Sequence, residues 1–379
     1  MTIGILGGGQ LGYMLALAGY PLNFHFRFLD PSPQAPVGRI APRVTAEYTD
    51  FEALEKFASG LALVTYEFEN VPVEAVRFLQ KRLPVYPSPR ALETAQDRRS
   101  EKKLFQNLGI PTTEFVAVDS RDELEQAVRK LGLPAILKTC RLGYDGKGQW
   151  LLRTNEDVAR IAKEIPAMPL VLEKFVHFSR ELSILAVRAR DGKTAFYPLV
   201  ENRHREGILR LSLAPAPRHT AGLQREAEQS ALRVLEALDY VGVLAIELFE
   251  CDGRLLANEM APRVHNSGHW SIEGAVTSQF ENHLRAVAGL PLGDTRTVGY
   301  SAMLNLIGEL PDSSELLAVP DAHLHIYGKT LRPGRKVGHV TLRAHSGEQL
   351  ASRLEELPRF FHRQEFCLTP NLVTSAKQL

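Results

Sequence analysis

The chain has 379 residues, 44 % of them apolar and 23 % charged, with 45 basic against 44 acidic side chains and a formal net charge of +1. That length suggests two or three domains of ordinary soluble composition, and the charge balance carries no footprint for nucleic acid or an anionic membrane. No apolar run approaches the roughly 20 residues that span a bilayer, and Cys140, Cys251 and Cys367 share no metal-ligand spacing and read as free thiols, so a cytoplasmic protein is expected.

The N-terminus has no basic segment and enters a glycine turn at once, which predicts that no signal peptide is present. "IGILGGG" reads as a strand and turn, "QLGYMLALAGY" as a helix stopped by Pro21, and "FHFRFLD" as a second strand. "LALVTYEFENVP" is a strand that ends in acids. Strands alternating with helices predict a Rossmann-like parallel sheet over residues 1–92, and "LPVYPSPRAL" (83–92) reads as a linker. A charged amphipathic helix, "ETAQDRRSEKKLFQNLGIPT", follows, closed by Gly109 and Pro111. "PAILKT", "LVLEKFV" and "RELSILAVRAR" are strand-like, and "REAEQSALRVLEALDYVG" is helical. "VGVLAIELFECDGRLLANEMAPR" reads as two strands about an Asp-Gly turn. "AMLNLIG", "HLHIYGKTLRPGRKVGHVTLRA" and a short final helix predict a small β-rich domain over residues 299–379. The middle unit is 93–298.

With the turn at Asp252 and Gly253, Glu247 and Glu259 lie nearly opposite each other and point to one face. Opposed residues in such a pair have Cβ atoms about 5 Å apart, where like charges repel. Two carboxylates on otherwise apolar strands call for a cation between them, and Mg²⁺ shared with substrate phosphates suits them, with Asn258 alongside. Taken alone, the pattern fits equally a register one residue off, which sends the acids to opposite faces. The polar run "RVHN" just beyond favours a site.

Lys138 sits on an apolar strand before a loop containing Gly143, Gly146 and Gly148. Such glycines let backbone N–H groups approach phosphate oxygens, with the lysine as a point charge. The spacing is not that of a Walker A loop, and a mobile hairpin tip is the commoner fate of such a loop. "LVLEKFV" could offer a carbonyl and an N–H to an adenine edge, with Glu181 taking ribose hydroxyls. A charge-guarded edge strand has the same appearance. "YGKTLRPGRKVGH" gathers Lys329, Arg332, Arg335 and Lys336 about a Pro-Gly turn, a set suited to a ribonucleotide phosphate.

In this order, Lys138, the glycine loop, "LEKFV", Glu181 and the pair Glu247 and Glu259 resemble ATP-grasp enzymes. More closely, "GGGQLG", "VTYEFENVP", "GYDGKGQW", "NEMAPRVHNSGHW" and "YGKTLRPGRKVGHV" resemble the N5-carboxyaminoimidazole ribonucleotide synthetases, the PurK-type enzymes, over residues 3 to about 345. The resemblance implies a three-domain α/β and α+β ATP-grasp fold with a mobile lid at about 112–172. It implies an ATP-dependent carbon–nitrogen ligase that carboxylates 5-aminoimidazole ribonucleotide (AIR) with bicarbonate through carboxyphosphate, in purine biosynthesis, with two Mg²⁺ ions and a homodimer.

Residue by residue, the resemblance implies that Arg98, Lys138, Gly143, Tyr144, Asp145, Gly146, Lys147, Gly148 and Gln149 hold ATP. Glu173, Lys174, Phe175, Val176, Glu181 and His204 join them, with Asn258 beside Glu259. Glu247 and Glu259 would hold Mg²⁺. Gly9, Gln10, Tyr144, Asp145, Arg263, His265, Asn266, Lys329, Arg332, Arg335 and Lys336 would surround AIR and bicarbonate. The catalytic set is Arg263, His265, Asn266 and Lys138, with His265 suited to proton traffic and Arg263 to forking onto a planar acid. His269 and Trp270 read as structural. Two positions depart from the family: Tyr13 stands where arginine is usual, and Leu142 where a further glycine is common.

The main rival reading is a nicotinamide-dependent oxidoreductase. Gly7, Gly9 and Gly12 match G-x-G-x-x-G after a strand, and Asp30 ends the next one. That reading leaves the acid pair and basic turn unexplained. A formate-using ATP-grasp ligase and a non-catalytic nucleotide-binding protein are the remaining alternatives.

Overall fold

The computed structural model describes residues 1–143, 147–164, 168–358 and 360–361. The first unit is a parallel sheet of β1 (Thr2–Leu6), β2 (His25–Leu29), β3 (Arg43–Val44) and β4 (Leu63–Tyr66), in the order β3-β2-β1-β4. β1 and β4 are buried almost throughout and read as near-continuous apolar runs, whereas β2 keeps an exposed His25 and β3 is half-buried. As in other open parallel sheets, the acids that matter here follow a strand end: Glu67 and Glu69 come directly after β4.

A second sheet contains β5 (Phe115–Val118), β6 (Ala135–Thr139), β7 (Gln149–Leu152) and β8 (Leu170–Lys174), ordered β5-β8-β6-β7. Leu124, Leu137, Leu152 and Ile161 give it a core of its own.

The third sheet has nine strands: β9 (Arg180–Arg188), β10 (Thr194–Phe196), β11 (Val200–Arg205), β12 (Ile208–Ala214), β13 (Gly242–Cys251), β14 (Arg254–Ala261), β15 (Tyr300–Ile307), β16 (Ala322–Ile326) and β17 (Lys336–Ala344). The order β14-β13-β9-β11-β12-β15-β17-β16, with β10 on β9, runs without a break across residue 299. The β-rich segment predicted near the C-terminus therefore extends the central sheet through β12 and β15.

Two local expectations change. The stretch 93–112 forms not one helix but two, Pro89–Ala95 and Arg98–Asn107. Asp97 separates them because its carboxylate accepts from the N–H groups of Arg99 (3.0 Å) and Ser100 (3.2 Å), satisfying two donors at the start of the second helix. The expected linker also ends in helix, because Ser88 caps Ala91 N–H at 3.3 Å and Pro89 is pre-set for the first turn.

The helix Gln279–Ala288 joins the first unit to the central sheet. Phe280 and Leu284 pack in one core with Leu15 and Phe26, and His283 Nε2 lies 2.9 Å from Thr65 Oγ1. Trp270 and His269 are fully buried, Trp270 edge-on to Tyr197, in keeping with a structural part for both. Among the described residues no helix is long and apolar enough to cross a membrane.

Gly299, at the entry to β15, has φ +78, and a Cβ there would lie 2.3 Å from Ala344 O. Gly299→Ala is therefore expected to cost about 2 kcal/mol through left-handed strain and backbone clash. Thermal unfolding followed by circular dichroism checks this: an unshifted midpoint would show that the β15–β17 seam is not tightly packed.

Candidate active site

One face of the nine-stranded sheet forms the floor of a cleft of about 1160 Å³. Register puts Glu259, Glu247 and Ser183 in one row across β14, β13 and β9, with Glu181 and Asn202 paired one step along. Residues directly opposite in a sheet share a face, so these polar side chains converge. Counting back from the Asp252–Gly253 turn would set Asn258 against Glu247. A bulge between Glu247 and Leu248 instead absorbs Asn258, so that Leu248 faces Ala257 and Glu247 faces Glu259.

The acid pair is held unequally. Arg98 Nη1 lies 2.6 Å from Glu259 Oε2. Burial works against charge on Glu259, but Arg98 outweighs it and holds the carboxyl down at about 2. Glu247 has His265 Nε2 at 3.4 Å rather than a guanidinium among the described residues, and burial, then the charge of Glu259, pushes it up to about 7. Asn258 Oδ1, beside them, is buried without a hydrogen-bond partner among the described residues. Uncompensated carboxylate charge and an orphaned amide oxygen form a hard-oxygen set that fits a divalent cation.

Lys138, on β6, points into the cleft and pairs with Glu173 at 2.9 Å, both buried. A second, fully buried lysine, Lys102, lies 3.3 Å from the same carboxylate. Burial opposes the charge on Glu173, but Lys138 and Lys102 prevail and keep it low. Glu101, from the same helix as Lys102, accepts from Met260 N–H at 2.5 Å and is pushed up to about 8 by burial and then Glu259. The sequence reading missed both residues. Their signal was the helical spacing to buried Phe105, hidden by their charge.

Glu181 and His204 are in direct contact. Burial disfavours charge on His204, but that contact and the acids Glu247 and Glu181 raise it overall. At the apolar end, Phe178 and Phe249 stack with centroids 4.6 Å apart, and Ile136 and Leu248 complete the wall. These aromatics were also missed, since exposed phenylalanine at strand ends resembles ordinary core pattern.

At the other end, Arg263 pairs with Glu69 and donates from Nη1 to Val264 O at 3.0 Å, leaving part of its fork for a ligand. His265 is gripped through its backbone by Gln279, whose Oε1 accepts from His265 N–H at 2.9 Å and whose Nε2 donates to His265 O at 2.6 Å. Burial, then Arg263 and Lys336, drops His265 to about 3, so its ring is neutral near pH 7. Asn266 and Asn305 exchange reciprocal amide bonds of 3.0 and 2.7 Å. Lys329 reaches Gln10 Oε1, joining the first unit to the basic turn, and Arg332, Arg335 and Lys336 line the same cleft.

Arg98, Lys138, Gly143, Lys147, Gln149, Glu181, His204, Asn258 and the acid pair all border the cleft; Gly9, Gly148 and Glu173 to Val176 do not. The strand-edge donors expected for adenine are in part consumed: Lys174 N–H donates to Glu114 O (2.9 Å) and Phe175 N–H to Pro134 O (3.2 Å). Tyr144, Asp145 and Gly146 lie outside the described residues. Leu142 adopts φ +62, a conformation that costs a branched side chain about 1 kcal/mol and glycine nothing. Tyr13 lies under Arg39, 5.7 Å from ring centroid to guanidinium.

The glycine turn is not a free pyrophosphate cradle. Glu67 accepts from Gly9 N–H (2.5 Å) and Gly12 N–H (2.8 Å), and Asp30 from Gly8 N–H (2.7 Å). The donors that a dinucleotide would need are already bound to carboxylates, which removes the support for the oxidoreductase reading.

Comparison with known proteins matches the chain along most of its length. Residues 1–96 match a family model described as the ribonucleotide synthetase preATP-grasp domain, 103–280 the ATP-grasp domain, and 301–353 the phosphoribosylaminoimidazole carboxylase C-terminal domain. The chain is 56 % identical to N5-carboxyaminoimidazole ribonucleotide synthase of Pseudomonas aeruginosa over 94 % of this chain and 98 % of that one. It is 41 % identical to the Bacillus subtilis enzyme of the same name, over 90 % of each. The crystal structure of the Thermus thermophilus synthetase superposes with a TM-score of 0.91 at 62 % identity, covering 94 % of this chain and 98 % of that one. The Aspergillus clavatus enzyme in complex with ADP and 5-aminoimidazole ribonucleotide gives 0.89 at 31 % identity, covering 96 % and 98 %. With the three family models and these relatives in agreement, the chain belongs to the N5-carboxyaminoimidazole ribonucleotide synthase family of ATP-grasp ligases.

Proposed function

We propose that the protein carboxylates 5-aminoimidazole ribonucleotide to N5-carboxyaminoimidazole ribonucleotide, using ATP and bicarbonate, in the cytoplasmic synthesis of purines. One observation carries the reading: the acid pair, the Arg263–His265–Asn266 run and the basic turn open on a single cleft. A phosphoryl-transfer site thus adjoins a planar-acid site and a phosphate site. We take the working unit to be a homodimer, as the family resemblance implies; a monomeric mass in light scattering would remove that part.

The apolar end beside Phe178 and Phe249 offers a purine ring a face to stack on, and Glu181 with His204 lies within reach of its ribose. Glu247 and Glu259, with Asn258 beside them, would hold Mg²⁺, in the two ions expected for such sites. When bound, Mg²⁺ neutralises charge on the phosphates during transfer. Lys138, fixed by Glu173, adds a positioned cation. A bicarbonate oxygen then takes the γ-phosphoryl group, ADP leaves, and carboxyphosphate forms. The exocyclic amine of the ribonucleotide attacks the carboxyl carbon, the bond to phosphate breaks, and the departing phosphate takes the proton that the nitrogen loses as the carbamate forms. Phosphoryl transfer needs positioning and charge neutralisation rather than covalent help. Carboxyphosphate hydrolyses readily, so a cleft that holds the amine nearby is part of the chemistry. The remaining fork of Arg263 suits a planar acid.

The central test measures ADP formation with AIR and bicarbonate each omitted in turn, and with formate in place of bicarbonate. Full activity with formate would transfer the protein to the formate-using ligases. Glu259→Gln is expected to cut phosphate release at least 100-fold in a protein that stays folded; near-parental turnover would remove the metal assignment. Lys329→Ala and Arg335→Ala are expected to raise the KM for the ribonucleotide about tenfold or more, and a rise confined to ATP would show that the basic turn serves the other substrate.

The acid pair also predicts a pH dependence. Because Glu247 stands near 7 when folded and near 4.5 when unfolded, the folded chain holds the extra proton between those values. Linkage then makes the folded state lose stability as pH rises from about 5 through 7. In EDTA, Glu247→Gln should melt a few degrees above the parent at pH 8 and level with it near pH 5. Mg²⁺ should raise the parent's midpoint at pH 8 and leave the variant's unchanged. A variant less stable than the parent at pH 8 in EDTA would contradict the charge argument.

A further inference from the structure

The polar row under the acid pair continues past the carboxylates. Ser183 stands across from Glu247, and Ser183, Asn202, Ser212 and Ser267 are all buried. Buried hydroxyls and amides need partners, and here the direction of each bond can be followed. Asn202 Nδ2 donates to Ser183 Oγ at 2.9 Å, while Asn202 Oδ1 accepts from Ser212 Oγ at 2.8 Å. Ser183 has one hydroxyl proton, and it goes to Ser267 Oγ at 2.8 Å. The proton of Ser267 is then directed to His265 Nδ1, 2.9 Å away. The backbone N–H of Ser267 also donates to that nitrogen, at 3.3 Å. An amide N–H cannot accept, so this longer contact also points to a lone pair on Nδ1.

We propose that the chain Asn202–Ser183–Ser267 holds His265 in the Nε2–H tautomer, so that His265 meets the substrate as a hydrogen-bond donor. The three residues are positioning residues. Nε2 lies on the cleft side, 3.4 Å from Glu247 Oε1, and His265 lines the cleft. The nitrogen able to take a proton is turned away from the cleft and covered by Ser267. A neutral imidazole so oriented cannot remove a proton from an amine in the cleft. It can donate to an oxygen of bicarbonate or carboxyphosphate where negative charge grows. The identity of that acceptor rests on the function proposed above; the tautomer does not.

The test is ¹⁵N NMR of the full chain labelled at histidine, without substrates. The signal of His265, one of twelve histidines, is assigned by its loss in His265→Asn. The expected spectrum shows a bare Nδ1 and a protonated Nε2. Asn202→Asp turns the first donor into an acceptor and draws the hydroxyl protons the other way. It should populate the Nδ1–H form and lower kcat at least tenfold, with the KM for ATP within twofold. A proton on Nδ1 in the parent, or an Asn202→Asp variant with tautomer and kcat unchanged, would overturn the proposal. Because the spectrum needs no substrate, failure of the carboxylation reading in the omission assay is separately visible.

Discussion

The site depends on the mutual repulsion of two partly buried carboxylates that the fold holds on one face. Glu247 and Glu259 meet because the hairpin bulges at Asn258, and their charges cannot both be accommodated without compensation. Arg98 compensates one of them, and the other retains affinity for a proton. The same economy recurs across the cleft. Lys138 and Lys102 share Glu173, Arg263 is matched by Glu69, and His204 by Glu181. Buried charge is tolerated because each cation has a nearby acid, and the pairing holds each long side chain in one position.

Continuity of the central sheet turns these pairs into one site. Strands β12 and β15 join the part that carries the acid pair to the part that leads into the basic turn, so both ends of the cleft rest on one hydrogen-bonded framework. The separate β5–β8 sheet brings Lys138, Gly143, Lys147 and Gln149 to the same cleft. The first unit adds Gln10 and Glu69. Its glycine turn, which looks like a dinucleotide motif, is stabilised internally by Glu67 and Asp30 instead. A glycine pattern reports only that backbone comes close to something, and here that something is the chain's own carboxylates.

The order of local chemistry was legible in the chain. The Asp-Gly turn, the apolar strand around Lys138, the cationic Pro-Gly turn and the "RVHN" run all depend on neighbours within a few residues, and local pattern suffices for them. Less legible were groups whose role needs a distant partner. Lys102 and Glu101 look like solvent charges on an amphipathic helix until β14 and Glu173 are placed against them. Ser183, Asn202 and Asn305 look like ordinary polar punctuation until sheet register places them, and Ser267 until the turn that carries it packs on that sheet. Glu173 belongs to the strand edge read as offering backbone groups to adenine, and its side chain turns inward to Lys138.

By itself, then, the sequence determined the kinds of element, the hairpin that carries two acids, and the family pattern in which those acids recur. Tertiary structure decided the face to which Glu259 points, because one bulged residue reverses every side chain beyond it. It decided that the C-terminal strands continue the central sheet, since strand pairing over long separations leaves no mark in local periodicity. It also decided which nitrogen of His265 is covered, because that depends on a hydroxyl proton relayed from strands that meet only when the sheet has formed.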